Sequence, residues 1–96
     1  MKRSEILLIL KKYKEDYHDK YQFSKIGLFG SAARRTASRE SDIDVVIEQS
    51  KPDLFLLGTI KTDLEEEFAC KVDVIRLRKG MNTFLKDRIE REAIYV

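Results

Sequence analysis

The chain is poor in the residues that build thiolate and imidazole sites, with one cysteine, Cys70, and one histidine, His18. A single thiol forms no intramolecular disulfide, and one distant imidazole does not complete a zinc site with it. A reducing, cytoplasmic setting is expected. Charge of one sign is also scarce: 19 Lys+Arg stand against 17 Asp+Glu, a formal net charge of +2. Proteins that hold nucleic acid by counterion release carry a clear basic excess, so nucleic acid is not an expected partner beyond a few local phosphate contacts. Long hydrophobic runs are missing too. Ile6 to Leu10 is five residues long, against the roughly 20 that span a bilayer. No small-residue cleavage site follows it, so neither a membrane span nor a signal peptide is expected. There are no internal repeats, low-complexity tracts or Pro/Gly-rich linkers.

What is present is the composition of a folded domain, with 43% hydrophobic and 38% charged residues. Ninety-six residues predict a single domain over 1–96 that buries roughly 60–65% of its unfolded surface. Ile6, Ile9, Leu10, Tyr13 and Tyr17 share one stripe of a helix predicted from about Glu5 to Lys20, with Ser4 as N-cap. Residues 25–29 read as a short buried strand closed by Gly30-Ser31. A short helix over 32–35 and a polar turn over 36–41 follow. Ile43, Val45 and Ile47 then alternate with Asp42, Asp44, Val46 and Glu48, the period of a strand. Ser50 to Asp53 resembles a capping box with Pro52 in the first turn of a helix whose buried stripe is Leu57, Ile60, Leu64 and Phe68. Glu65, Glu66 and Glu67 flank that stripe on a solvated face.

Residues 72–77 read as a third strand, with Asp73 opposite Val72 and Val74. Arg78-Lys79-Gly80 turns out of it. Met81, Phe84, Leu85 and Ile89 space as the stripe of a last helix from about Thr83 to Glu92, and residues 93–96 return as an edge strand. The fold class is α/β (α+β), a small mixed sheet with helices packed on it. Tyr13, Tyr17 and Tyr21 form a stripe for core or interface. His18 reads as a solvent-facing cation at a helix end, and Cys70 as a small core residue.

Three features ask for a common explanation: Gly30-Ser31 at the end of one strand, Asp42 and Asp44 on one face of the next, and Asp73 inside the third. Strand aspartates are unfavourable by propensity, and two on one face repel, so a positive partner is expected between them. Magnesium takes hard oxygen ligands from few carboxylates and leaves positions for water and substrate phosphates. Two such ions between paired carboxylates stabilise the attacking and leaving oxygens of an in-line phosphoryl displacement. Gly30 lets backbone approach a phosphate, and Ser31 offers a hydroxyl and an N–H at a helix N-terminus. Arg34, one turn on, can add a guanidinium fork.

Gly30-Ser31, ten intervening residues and Asp42-Ile43-Asp44-Val45 resemble the signature of the DNA polymerase β-like nucleotidyltransferase superfamily. Asp73 within Lys71-Val72-Asp73-Val74 matches its separately placed third carboxylate. The short length, the Gly-Ser-Ala-Ala-Arg segment and the Ser-Asp-Ile-Asp core are similar to the minimal nucleotidyltransferases, the MntA-like proteins, although Arg35 stands where many relatives have glycine. The resemblance implies that Asp42, Asp44 and Asp73 hold two Mg²⁺ ions, with Asp73 also helping to deprotonate the attacking hydroxyl. It implies that Gly30, Ser31 and Arg34 bind the nucleoside triphosphate. The implied reaction moves a nucleoside monophosphate, AMP from ATP, to a hydroxyl with release of pyrophosphate. The implied setting is the antitoxin of a type VII-like toxin–antitoxin pair, whose partner is a HEPN-domain toxin modified on a tyrosine.

Blander readings stand beside these. Asp42 and Asp44 taken alone fit a solvated strand face or an Asx turn, and Asp73 fits a surface pair with Lys71 or Arg76. Ser31 serves equally as an N-cap, and Arg35 and Arg39 fit solvated loop charges. Two other functions fit the chain: an antitoxin that neutralises its partner by binding without turnover, and a nucleotidyltransferase of small molecules such as antibiotics. The exposed edge strand and the apolar helix at Ile6 to Leu10 are candidate surfaces for a homodimer or a hetero-oligomer.

Overall fold

The structure, a computed structural model, describes residues 2–30, 43–49, 51–78 and 80–96. Helix α1 spans Arg3–Tyr17. Its N-cap is Lys2, which makes no side-chain cap, so the expected start is corrected and Ser4 lies inside the first turn. The expected end at Lys20 is corrected as well. Residues 18–22 turn back, with the Tyr21 N–H donating to Tyr17 O at 2.8 Å and the Phe23 N–H to His18 O at 3.1 Å. Gln22, at φ 53°, completes the reversal.

Strand β1 follows at Phe23–Phe29, two residues longer than expected. Its register against β2 (Ile43–Gln49) shifts between Phe23 and Lys25, the mark of a bulge at Ser24. A bulge resets the alternation of faces, and Phe23 and Ile26 are thereby both buried in one core despite their odd spacing. Helix α2 (Leu54–Phe68) is capped by Asp53, whose carboxylate accepts from the Leu56 N–H at 3.1 Å. Pro52 therefore precedes the helix rather than entering its first turn, and Ser50 lies outside the described residues. Strand β3 covers Val72–Arg76, α3 Thr83–Glu92 and β4 Ile94–Tyr95. The helix expected over 32–35, the turn expected over 36–41 and Lys79 also lie outside the described residues.

The sheet order is β3-β2-β1-β4. β2 and β3 run parallel, joined by the α2 crossover, and β1 pairs antiparallel with both β2 and β4. Among the described residues, three helices and a four-stranded mixed sheet thus form the α/β (α+β) architecture expected. One face of the sheet buries Ile26, Leu28, Val45, Ile47 and Val72 against Ile6, Leu10 and Tyr13 of α1 and Ile60, Leu64 and Phe68 of α2. The opposite face buries Phe29 and Val46 against Ile89 of α3. Alternation along β2 therefore sorts Ile43, Val45 and Ile47 from Asp44, Val46 and Glu48, as the period of two requires.

Three expectations of burial are revised. Leu57 is only half-buried, and the inward stripe of α2 is Ile60, Leu64 and Phe68. Phe84 is 83% exposed, since Leu85 and Ile89 make the inward ridge of α3. Glu65 is half-buried rather than fully solvated: its carboxylate accepts from the Val72 N–H at 3.2 Å and meets the first residue of β3. Gly27, by contrast, is required by packing. A Cβ there would sit 2.8 Å from Tyr95 Cδ1 and 2.9 Å from Ile94 O, so only glycine lets β4 close on β1. Cys70 is half-buried and packs against the larger core, and His18 is exposed, both as expected.

Tyr13 ties α1 to α2. It is buried, its hydroxyl donates to Asp63 Oδ2 at 2.7 Å, and its ring meets those of Tyr17, Tyr21 and Phe23. Burial first, and then the Asp63 carboxylate, push its phenol well above the ordinary value of 10.0. The unfolded chain therefore gives up this proton at a lower pH than the folded chain. The stability it contributes is whole below pH 10 and is lost as pH rises beyond it. Thermal melts are expected to fall steeply between about pH 10 and 11, and Tyr13→Phe to flatten that fall. The same variant is expected to lose about 1.5–3 kcal/mol at neutral pH, the value of a hydrogen bond to a charged group.

Candidate active site

β1 ends at Phe29, and the chain leaves it through Gly30 at φ +77°, a conformation that glycine adopts without strain. Phe29 is the register partner of Asp44 on β2, and Asp44 is the register partner of Asp73 on β3. Partners on neighbouring strands point to the same side, about 4.8 Å apart across a sheet. Phe29, Asp44 and Asp73 therefore form one row on the face that α3 covers, at the end of the sheet where Gly30 turns away. Val72 and Val74 point to the opposite core, which leaves Asp73 exposed beside the half-buried Asp44.

Gly30 and Asp44 are in intimate contact. A Cβ on Gly30 would overlap the Asp44 carboxylate and stand 3.2 Å from its Cγ, so the glycine is the space in which that carboxylate stands. Of the residues the sequence singles out, the structure brings together Gly30, Asp44 and Asp73. Ser31, Arg34 and Asp42 lie outside the described residues, as do Arg35 and Arg39. Phe29 was missed by the sequence reading, because nothing in a short apolar strand marks its last residue as the neighbour of a carboxylate.

Two carboxylates side by side on parallel strands repel, and such a pair is held more cheaply when a cation lies between them. Asp44 and Asp73 are hard oxygen donors on rigid elements, the donor chemistry that Mg²⁺ takes. Among the described residues no three acidic, histidine or cysteine side chains converge on one point. The third carboxylate of the expected set, Asp42, is outside them. No helix among the described residues is long and apolar enough to cross a membrane.

Known proteins share this chain's pattern. The family model of the nucleotidyltransferase domain matches residues 10–96. A Methanocaldococcus jannaschii protein that carries the provisional name of protein adenylyltransferase is 38% identical, with 97% of this chain and 96% of that protein covered. Protein adenylyltransferase MntA of Thermococcus cleftensis is 27% identical over 96% of this chain and 93% of its own. A solved structure provisionally described as a minimal nucleotidyltransferase superposes with a TM-score of 0.79 at 26% identity, covering 98% of this chain and 95% of that one. The fold is also that of a complex of the tri-AMPylated Shewanella oneidensis HEPN toxin with MNT antitoxin, with a TM-score of 0.58, 20% identity and coverage of 88% and 69%. With a mixed sheet of this order, the carboxylate row at its end and a family match over most of its length, the chain belongs to the nucleotidyltransferase domain family, among its minimal, MntA-like members.

Proposed function

We propose that this chain is a Mg²⁺-dependent protein adenylyltransferase of the cytoplasm, a single domain over 1–96 that moves AMP from ATP to a tyrosine hydroxyl of a HEPN-domain toxin and so acts as its antitoxin. The observation that carries the reading is the register of Asp44 with Asp73 beside the Gly30 turn. Relatives named as protein adenylyltransferases and the likeness to an antitoxin bound to an AMPylated HEPN toxin support the acceptor class.

Asp44 and Asp73, together with Asp42, are the residues that would hold the metal. Bound there, Mg²⁺ supplies charge stabilisation to the attacking and leaving oxygens of the displacement. The chain's own contribution is positional. The rigid pairing of β2 with β3 fixes the separation of two carboxylates, and the Gly30 turn, with no Cβ in the way, lets the backbone approach the triphosphate. Ser31 and Arg34 donate to phosphate oxygens. Asp73, the exposed member of the row, is placed to accept the proton of an attacking hydroxyl.

The test is mass spectrometry of the product of the neighbouring gene, after incubation with this chain, Mg²⁺ and each nucleoside triphosphate. A gain of one or more AMP units with ATP alone is the expected result. A stable complex without any mass gain would replace transfer by occlusion, and a gain with another triphosphate would correct the base.

Ligand linkage gives an independent prediction. ATP with Mg²⁺ is expected to raise the melting temperature, by the equivalent of about 2.7 kcal/mol at a hundredfold excess over Kd, and neither component alone is expected to do so. Asp73→Asn is expected to abolish the shift in a thermal-shift titration. A shift from ATP that is indifferent to Mg²⁺ would contradict the carboxylate site.

A further inference from the structure

The carboxylate row has a neighbour from α3 that the proposed roles leave unused. The Arg88 guanidinium carbon lies 5.9 Å from the centre of the Phe29 ring. Phe29 is the first member of the row, one strand away from Asp44. The guanidinium thus lies over the ring of a residue whose backbone is one strand spacing, about 4.8 Å, from that of Asp44, and a long arginine side chain can swing from that ring toward the carboxylates.

Its present partners do not saturate it. Among the described residues Arg88 makes one ion pair, with Glu92 at 3.6 Å from Nη2, and its side chain is 49% exposed. A guanidinium has five N–H donors in a planar fork, so most of them stay available. The other cations of α3 are committed elsewhere. The Arg91 Nε donates to Asp87 O of its own helix at 3.4 Å. Lys86 lines a separate cleft with Lys25, Glu48, Arg76 and Tyr95.

The charge balance of the site points the same way. A nucleoside triphosphate brings several negative charges to a place that already presents Asp44 and Asp73. The other cation that the sequence assigns to it, Arg34, follows β1 in the chain, whereas Arg88 belongs to α3. A fork-shaped donor on the α3 side would grip phosphate oxygens that the Gly30 turn does not face.

We propose that Arg88 is a nucleotide-binding residue, whose guanidinium swings from the Phe29 ring to donate to a phosphate oxygen of the bound triphosphate. This rests on the nucleotidyltransferase reading above and adds to it a wall of the site supplied by α3. Phe29 then serves as the shelf that holds the fork in reach, a positioning residue.

The experiment compares wild type, Arg88→Gln, Arg88→Lys and Arg91→Gln by calorimetric titration with AMP-PNP and Mg²⁺. It also measures the KM for ATP, the KM for the protein acceptor and the melting temperature. Arg88→Gln keeps the stem on Phe29 and removes the charge, so the fold is retained while the donor fork is lost. It is expected to bind AMP-PNP roughly 10- to 100-fold more weakly and to raise the KM for ATP, with the acceptor KM unchanged. Arg88→Lys is expected to recover part of that loss, and Arg91→Gln to match wild type. A lowered melting temperature with AMP-PNP affinity within twofold of wild type would make Arg88 a structural partner of Phe29 and Glu92 and overturn the proposal alone. Failure of the wild-type chain to bind AMP-PNP with Mg²⁺ would remove the nucleotidyltransferase reading and this inference with it.

Discussion

Asp44→Asn is expected to lose AMP transfer by on the order of 10³-fold or more while remaining folded. The substitution keeps the shape of the side chain and removes only its charge. Asp44 stands between Phe29 and Asp73 in the row, so every arrangement of metal and phosphate at this end of the sheet has to use it or pass it. The amide keeps one oxygen acceptor but loses the anion, and hard cations discriminate strongly on that difference. The core does not depend on it. Ile43, Val45 and Ile47 on the opposite face, and Val46 on the same one, carry the packing of β2. A melting temperature within a few degrees of wild type is therefore expected, together with loss of the ATP·Mg²⁺ shift. Co-purification with the proposed HEPN partner separates this from the occlusion reading. Transfer should vanish while the complex persists, and retention of full transfer by Asp44→Asn would remove the carboxylate row from the reaction.

That result depends on a geometry only half visible in the sequence. The alternation of Ile43, Val45 and Ile47 with Asp44, Val46 and Glu48 shows a strand with an apolar face and places Asp44 on the other. The isolation of Asp73 between Val72 and Val74 does the same for β3. Which residue of β3 stands beside Asp44 is a different matter. It is decided by the length of α2 and by how Ile60, Leu64 and Phe68 seat on the sheet, and a slip of one residue would have put Val72 or Val74 in the row. Local pattern carries the face, and tertiary packing carries the register.

The errors in the fold share that cause. Met81, Phe84, Leu85 and Ile89 all satisfy helical spacing, yet two neighbouring ridges of a helix pass the same test. The sheet accepts Leu85 and Ile89 and leaves Phe84 in solvent. Pro52 and Ser50 suggested a capping box, but Asp53 makes the cap, because its carboxylate accepts from the Leu56 N–H. Glu65 resembles its neighbours Glu66 and Glu67 until β3 begins beside it and presents the Val72 N–H. The bulge at Ser24 and the closure of β4 on Gly27 leave no local mark, since both are set by strands distant in sequence. Arg88 belongs with these. On the sequence it is one of several exposed cations on a helix, and only the crossing of α3 over Phe29 sets it beside the row.

Gly30→Ala is the substitution that tests whether the two halves of the site are one device. It is expected to lower AMP transfer by about 10²-fold, the scale on which a misplacement of roughly 1 Å at a reacting centre is felt. Two costs coincide at this position. A φ of +77° lies where an L side chain pays about 1–2 kcal/mol. The added methyl would also overlap the Asp44 carboxylate, whose Cγ would be only 3.2 Å away. The backbone is held by the last pairing of β1 with β2, Phe29 with Asp44, and cannot retreat without opening that pair. The carboxylate must therefore turn, and the direction left to it is away from the turn and along the row toward Asp73. Both the phosphate approach and the carboxylate spacing are disturbed by one methyl group. The variant should melt a few degrees below wild type, and activity should fall much further than that loss of stability accounts for. Supplementing the assay with high Mg²⁺ should recover part of the activity if the displaced carboxylate is the main injury. Transfer equal to wild type, measured on folded protein, would mean that the Gly30 turn plays no part in the reaction and that the close fit between it and Asp44 serves only to end the strand.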